Sequence, residues 1–275
     1  MYPILIEIFG RQISTFGLFM IFGAAAAWIM IKILDSKKDK DVPLVFLICI
    51  CGGFVGAFLF RPITRIPEVI INWEQIRQIP FMVFIPRFFG EIVFYGGLIG
   101  GAAAMLIYCR YFKVPMLPIA DLFAPALAVA HGIGRVGCFF GGCCYGMPVQ
   151  STHPFAMVFP PASIGAPAGV PLLATQLIEA ACLFALAAIL VFIYKKTAGT
   201  GLAVCLYGLL YSVLRFIIEF YRGDSVRGIY GPLSTSQYIS IALFAISLVL
   251  LYVIINKHRK RLFANTQNDN IGRPD

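Results

Sequence analysis

Met116-Leu-Pro-Ile-Ala-Asp121-Leu-Phe-Ala-Pro125-Ala-Leu-Ala-Val-Ala-His131 runs without interruption into Gly132-Ile-Gly-Arg135-Val-Gly-Cys138-Phe-Phe-Gly-Gly-Cys143-Cys144-Tyr145-Gly146. The first part belongs to an apolar run, Met116 to Ile133, long enough to cross a hydrocarbon core of about 30 Å as a helix. The second part breaks that run with glycines, an arginine and three thiols. Glycine lets the chain bend and lets a ligand approach the main chain, while an arginine near hydrocarbon is costly unless an anion partners it. Flexible polar backbone at a bilayer edge is expected to mark a site, and the obvious anion in a membrane is a lipid phosphate.

The rest of the chain has the same character. It is 60% hydrophobic and 13% charged, with a mean hydropathy of +0.86, well outside the range of a soluble domain. Further apolar runs lie near Ile13 to Leu34, Leu44 to Phe60, Ile92 to Cys109, Leu172 to Tyr194, Leu202 to Phe220 and Tyr238 to Asn256. Strands of a membrane barrel would be about ten residues long and alternate in polarity. These runs do not, so the expected fold is all-α, a polytopic membrane bundle of about seven transmembrane helices. The net charge of +9 is split among short loops between apolar spans, which argues against nucleic acid as a partner.

Lys32, Lys37, Lys38 and Lys40 close or follow the first span, Lys113 the third, Lys195 and Lys196 the fifth, and Lys257 and Lys260 the seventh. Lysines thus fall at alternate connections, and the positive-inside rule makes those cytoplasmic, with the N-terminus outside and the C-terminus inside. The chain is read as a single transmembrane bundle over residues 1–256 with external interfacial regions at 61–91 and 134–173, followed by a basic cytoplasmic tail over 257–275. Pro62, Pro67, Pro80 and Pro86 predict short amphipathic pieces rather than a straight span in the first external region. No signal-peptide cleavage pattern, internal repeat or soluble domain is evident.

The exterior carries arginine and no lysine: Arg11, Arg61, Arg65, Arg77, Arg87, Arg135, Arg215, Arg222 and Arg227. Guanidinium keeps its charge when desolvated and grips phosphate with a two-pronged fork. Arg11, Arg61, Arg65, Arg77 and Arg87 are read as headgroup anchors. In the sixth span Tyr211, Arg215, Glu219 and Arg222 are spaced by four, four and three residues, which puts them on one helical stripe. An Arg215–Glu219 pair explains one arginine and leaves the other seeking an anion, so a site is favoured over a purely structural pair. In the third span Tyr95-Gly96-Gly97-Leu98-Ile99-Gly100-Gly101, like Gly52, Gly53 and Gly56 in the second, has the small residues that let helices approach closely. Gly96 and Gly97 follow a polar aromatic at the outer helix end and are added to the candidate site.

Asp121-x-x-Ala-Pro125, Gly134-Arg135-x-Gly137-x-Phe139, Tyr145-Gly146-x-Pro148, Ala156-x-Val158-Phe159-Pro160, Thr175-Gln176-Leu177-x-Glu179 and Tyr211-x-x-x-Arg215-Phe-x-x-Glu219-Phe-x-Arg222 together resemble the prolipoprotein diacylglyceryl transferase family. The resemblance covers nearly the whole chain, and the order and spacing of the motifs make it specific. It implies transfer of the diacylglyceryl group of phosphatidylglycerol to the lipobox cysteine thiol in the signal peptide of a prolipoprotein, with release of glycerol 1-phosphate. This is the first step of bacterial lipoprotein maturation, at the outer face of the inner membrane. Arg135 and Arg215 match the family's essential arginines and are expected to hold the lipid phosphate. Glu219 would orient them, and Arg222 would bind the headgroup or gate the site. Tyr211, Gly146, Cys138 and Cys143 complete the expected lipid-binding set, with membrane lipids as further partners. No cofactor or resident metal is expected.

The departures from the family pattern bear on mechanism. Tyr95 stands where the family has the proposed histidine base, Phe16 where it has a tyrosine, and Cys138 and Cys143 where it has an asparagine and an acidic residue. A phenol with a pKa of about 10 is a poor base at neutral pH, so Tyr95 is kept as a catalytic candidate that acts either with its pKa lowered by neighbouring arginines or as a hydrogen-bond donor to phosphate. His131, four residues before Arg135, is the substitute candidate if the helix continues that far. Cys138, Cys143 and Cys144 are read first as packing in a tight glycine loop. A disulfide comes second, and a metal site with His131 third, because the spacing is no standard zinc pattern. Two alternative functions stay open: a sister transferase using phosphatidylglycerol with another acceptor, and a non-catalytic lipid binder.

Overall fold

The computed structural model describes residues 4–8, 11–80, 82–83, 94–224 and 229–271. Its helices are α1 (Thr15–Leu34), α2 (Asp41–Ile71), α3 (Trp73–Ile76), α4 (Phe94–Tyr111), α5 (Met116–Gly141), α6 (Thr175–Thr197), α7 (Leu202–Glu219) and α8 (Thr235–Ile271). Six among the described residues are long and apolar enough to cross a membrane: Thr15–Leu34, Asp41–Phe60, Met116–Gly141, Thr175–Thr197, Leu202–Glu219 and Thr235–Lys257. The expected third span corresponds to α4, 18 residues long and diluted by Gly96, Gly97, Gly100 and Gly101. Among the described residues the regular structure is helical apart from three short antiparallel pairs: β1 (Ile4–Ile8) with β2 (Arg11–Ser14), β3 (Ala156–Val158) with β4 (Pro171–Leu173), and β5 (Ile229–Tyr230) with β6 (Leu233–Ser234). Pro86, Arg87 and Arg227 lie outside the described residues.

Two helix boundaries correct the sequence reading. The glycine-rich stretch after Ile133 does not unwind: α5 continues through His131, Arg135 and Cys138 to Gly141. Each glycine there costs only about 1 kcal/mol of helix propensity, and the hydrogen-bond ladder is worth keeping where water is scarce. The first external region was also expected to be broken from Arg61, yet α2 passes Pro62 and Pro67 before ending at Ile71. A proline forfeits one hydrogen bond and bends a helix; it need not end one.

Residues 37–116 form one compact unit, with 1–36 and 117–275 forming the other. In the first, α2 and α4 meet at glycines. A Cβ added at Gly96 would sit 2.5 Å from both the Gly56 carbonyl oxygen and the Phe60 Cβ, and one at Gly53 would sit 3.3 Å from the Gly97 carbonyl. That packing accounts for Gly96 and Gly97 without a ligand. The Tyr108 hydroxyl donates to Asp41 across the same helix pair, at 3.1 Å.

In the second unit the core joins Ala124 and Ala128 of α5, Leu183, Leu186, Ala187 and Leu190 of α6, and Ala203, Tyr207 and Tyr211 of α7. Asp121, fully buried in α5, accepts from the backbone N–H groups of Gly199 (3.1 Å), Ala203 (2.7 Å) and Val204 (3.3 Å). Gly201, the residue before α7, supplies no side-chain cap. Asp121 therefore caps α7 from another helix, satisfying amides that would otherwise be orphaned in an apolar setting.

Candidate functional site

Three helices of the second unit each supply a charge to one buried cluster. Arg135 of α5 reaches Glu179 of α6 with its Nη2 3.0 Å from Oε1, and Arg215 of α7 approaches the other oxygen of the same carboxylate at 3.7 Å. Arg215 also pairs with Glu219 one turn further along α7 at 2.6 Å and donates to Ser236 Oγ of α8 at 3.0 Å. The Tyr211 hydroxyl donates to Glu179 at 3.5 Å. Glu179 and Glu219 are 1% and 2% exposed, and Arg135 and Arg215 are 9% and 5%. Charges this deep survive only in mutual pairing.

The two arginines thus converge, as their motifs predict, but through a residue that was read only as part of a family motif. Glu179 joins Glu219, so Arg135 and Arg215 face two carboxylates, and the second arginine of the span-six stripe, Arg222, expected to be left seeking an anion, is paired with Asp224 instead. It was findable: Glu179 is the only acidic residue in α6, and an ionisable group inside a membrane span is functional by default. Pairing does not exhaust the donors. The Nε–H groups of Arg135 and Arg215 are buried and make no hydrogen bond among the described residues.

His131 lies one turn before Arg135 on the continuing α5, as the substitute-base expectation requires. Its Nδ1 is 3.2 Å from the Tyr207 hydroxyl, and its ring meets Tyr211 edge-on at 4.8 Å between centroids. Tyr211 in turn stacks on Tyr207 at 5.8 Å. Tyr95 is the second residue of α4, in the other unit, and only its backbone is described.

Arg222 departs from the expected stripe, because α7 ends at Glu219 and Arg222 follows in irregular chain. There it bridges to Gly146 in an antiparallel contact, while Met147 N–H donates to Tyr221 and Gly223 N–H to Tyr145. These backbone bonds give the chain a second partner once the helix stops. The Arg222 guanidinium grips Asp224 with both prongs, Nε to Oδ1 at 2.7 Å and Nη2 to Oδ2. Burial works against its charge and is the largest single effect, but the hydrogen bonds to Asp224 together with the negative charge of Cys144 and Asp224 outweigh it and raise its pKa, so it stays a cation. Gly146 fits a tight space, since a Cβ there would lie 2.6 Å from the Leu173 carbonyl oxygen.

The thiols Cys138, Cys143 and Cys144 lie just past this layer, their sulfurs all within 4.8 Å of one another. All three are free. The Cys143 thiol donates to the Cys138 carbonyl at 3.7 Å. Hydrogen bonds from Cys138 and Cys143, then the charges of Arg222 and Arg135, hold the Cys144 thiol far below its usual range against the effect of burial. Cys143 is lowered by its hydrogen bond with Cys138 but raised more by the one with Cys144 and by burial, and is pushed up to about 12.

The chain matches the model of the prolipoprotein diacylglyceryl transferase family over residues 3–253. It is similar to phosphatidylglycerol–prolipoprotein diacylglyceryl transferase 2 of Clostridium perfringens, 36% identical over 93% of this chain and 95% of that protein. The phosphatidylglycerol–prolipoprotein diacylglyceryl transferases of Clostridium tetani and Gloeobacter violaceus are 34% and 31% identical, over 95% and 87% of this chain and 100% and 88% of theirs.

Proposed function

Because this chain belongs to the prolipoprotein diacylglyceryl transferase family, we propose that it moves the diacylglyceryl group of phosphatidylglycerol onto a prolipoprotein cysteine, with Arg135 and Arg215 holding the lipid phosphate. One observation carries the assignment of the site: two guanidinium groups from different helices share Glu179 and each keeps a buried Nε–H without a hydrogen bond among the described residues. Carboxylates at their other edges fix the orientation of both forks before any lipid arrives, and fixed donors cost no reorganisation in the transition state.

In the reaction the acceptor sulfur attacks the glyceryl carbon that bears the phosphate. The carbon–oxygen bond breaks, and the electron pair leaves on the phosphate of glycerol 1-phosphate. Charge grows on the departing oxygen, where Arg135 and Arg215 stabilise it. We assign the thiol proton to His131, whose ring contacts Tyr211 and hydrogen-bonds with Tyr207. Glu219 and Glu179 position the cations, and Arg222, held by Asp224 beside Gly146, borders the lipid headgroup. The lysine pattern supports a site facing the outer leaflet of the bacterial plasma membrane, with the N-terminus outside and the acceptor presented by a lipobox signal peptide.

The test is to incubate the purified protein with phosphatidylglycerol and a lipobox peptide. A thioether-linked diacylglyceryl peptide and glycerol phosphate should accumulate together. Glycerol phosphate without modified peptide would mean a different acceptor, the reading that Tyr95 and Cys138 favour by replacing the family's histidine and asparagine. Neither product would leave a lipid binder.

A further inference from the structure

The role proposed for the arginines makes no use of the three sulfurs beside them. Cys138 sits in the last turn of α5, and the chain reverses so that Cys143 N–H donates to the Cys138 carbonyl at 3.1 Å. Gln176 Nε2 grips the Cys143 carbonyl at 2.8 Å, and Thr175 Oγ1 grips that of Cys144 at 3.1 Å. The start of α6 therefore clamps the loop from the other side. Gly142 takes a left-handed backbone with φ +70°, as glycine readily does, but Cys144 takes one too, with φ +59°. A side chain in that region is disfavoured by about 1 kcal/mol or more. A loop serving only to fill space would be better served by glycine there. What the strained backbone achieves is to bring a third sulfur to within 4.8 Å of the other two.

From this geometry we propose that Cys138, Cys143 and Cys144 form a three-sulfur binding site for a soft, thiophilic cation of the Zn2+ type. Metal–sulfur bonds of about 2.3 Å in a tetrahedron place sulfurs about 3.8 Å apart, so the cluster needs only a small contraction. Three thiolates around a divalent ion carry one net negative charge, and Arg135 lies on the same helix three residues before Cys138, so a positive charge stands one turn from the cluster. The linear spacing hides the site because it resembles no standard zinc pattern. The helix end and the clamp from α6 assemble it. Three protein ligands leave a tetrahedral ion one position to fill from outside the cluster. None of this depends on the transferase reading.

The experiment uses the full chain in detergent, purified under reductant. Wild-type protein is titrated with Co2+ alone, then with Zn2+, and its thiols are alkylated with and without Zn2+ and mapped by mass spectrometry. We expect a sulfur-to-cobalt charge-transfer band that saturates at one ion per chain and is abolished by Zn2+. Zn2+ should protect Cys138, Cys143 and Cys144 together and leave alkylation of Cys51, exposed on α2, unchanged. Cys138→Ser, Cys143→Ser and Cys144→Ser should each weaken Zn2+ binding by about 100-fold or more, and Cys205→Ser should not. Absence of the band together with unprotected thiols in the reduced wild-type chain overturns the proposal. A disulfide within the trio that reforms in preference to metal binding overturns it as well. Both readouts come from wild-type protein, so a variant that fails to fold does not decide the matter.

Discussion

At the scale of single residues the cluster behaves as a unit, and its members should fail in different ways. Arg135→Ala and Arg215→Ala are expected to abolish turnover. Arg135→Lys keeps the charge but loses the planar fork, and turnover in the phosphatidylglycerol assay should fall roughly 100-fold, the scale of losing one directed donor; full activity would argue against bidentate phosphate binding. Glu179→Gln removes the anion that both arginines share, leaving buried charge uncompensated at about 3–5 kcal/mol. Its melting temperature in detergent should drop, and phosphatidylglycerol should restore more of it than the lipid adds to wild type, because phosphate replaces the missing carboxylate. His131→Gln should slow transfer and flatten its pH profile, and an unchanged profile would place the base elsewhere. Tyr95→His should speed lipobox transfer if the family's base chemistry persists here in weakened form. Arg135, Arg215 and Glu219 are legible in the linear chain because ionisable groups stand out against apolar residues. The pairing with Glu179 is not, because it joins positions 44 and 36 residues distant, and only packing of three helices sets which carboxylate meets which cation.

At the scale of elements, hydrophobic runs locate the spans well and their ends poorly. Glycines in α5 and prolines in α2 read as breaks, yet both helices continue, because an unmade backbone hydrogen bond is worse near lipid than a poor helix former. Small residues that look like flexibility are contact surfaces in α2 and α4. Gly100→Val would push a side chain into the Gly52 carbonyl and should destabilise that pair by about 1–3 kcal/mol in a detergent melt, with little change if the helices can slide apart. Asp121→Ala strips the cap from α7 and leaves buried amides unpaired, a loss of about 1–3 kcal/mol. Asp121→Asn keeps an acceptor and should lose less.

At the scale of the whole molecule, composition and apolar runs are enough to read a polytopic helical bundle, while the three strand pairs are too short to leave a periodic signal. Orientation rests on the lysines alone. Alkaline phosphatase, which folds only outside the bacterial cytoplasm, should be inactive when fused after Lys257 and active when inserted after Pro161. The reverse pattern would invert the site to the inner leaflet. Asp121 adds a point about how such a chain is made. Its carboxylate enters the membrane 82 residues ahead of the Ala203 amide that it serves. During synthesis it is a polar group waiting for donors until the hairpin of α6 and α7 arrives. A chain that stalls or terminates before that hairpin keeps the polar defect on display, so membrane-bound proteases have a physical mark by which to tell an unfinished copy from a completed one.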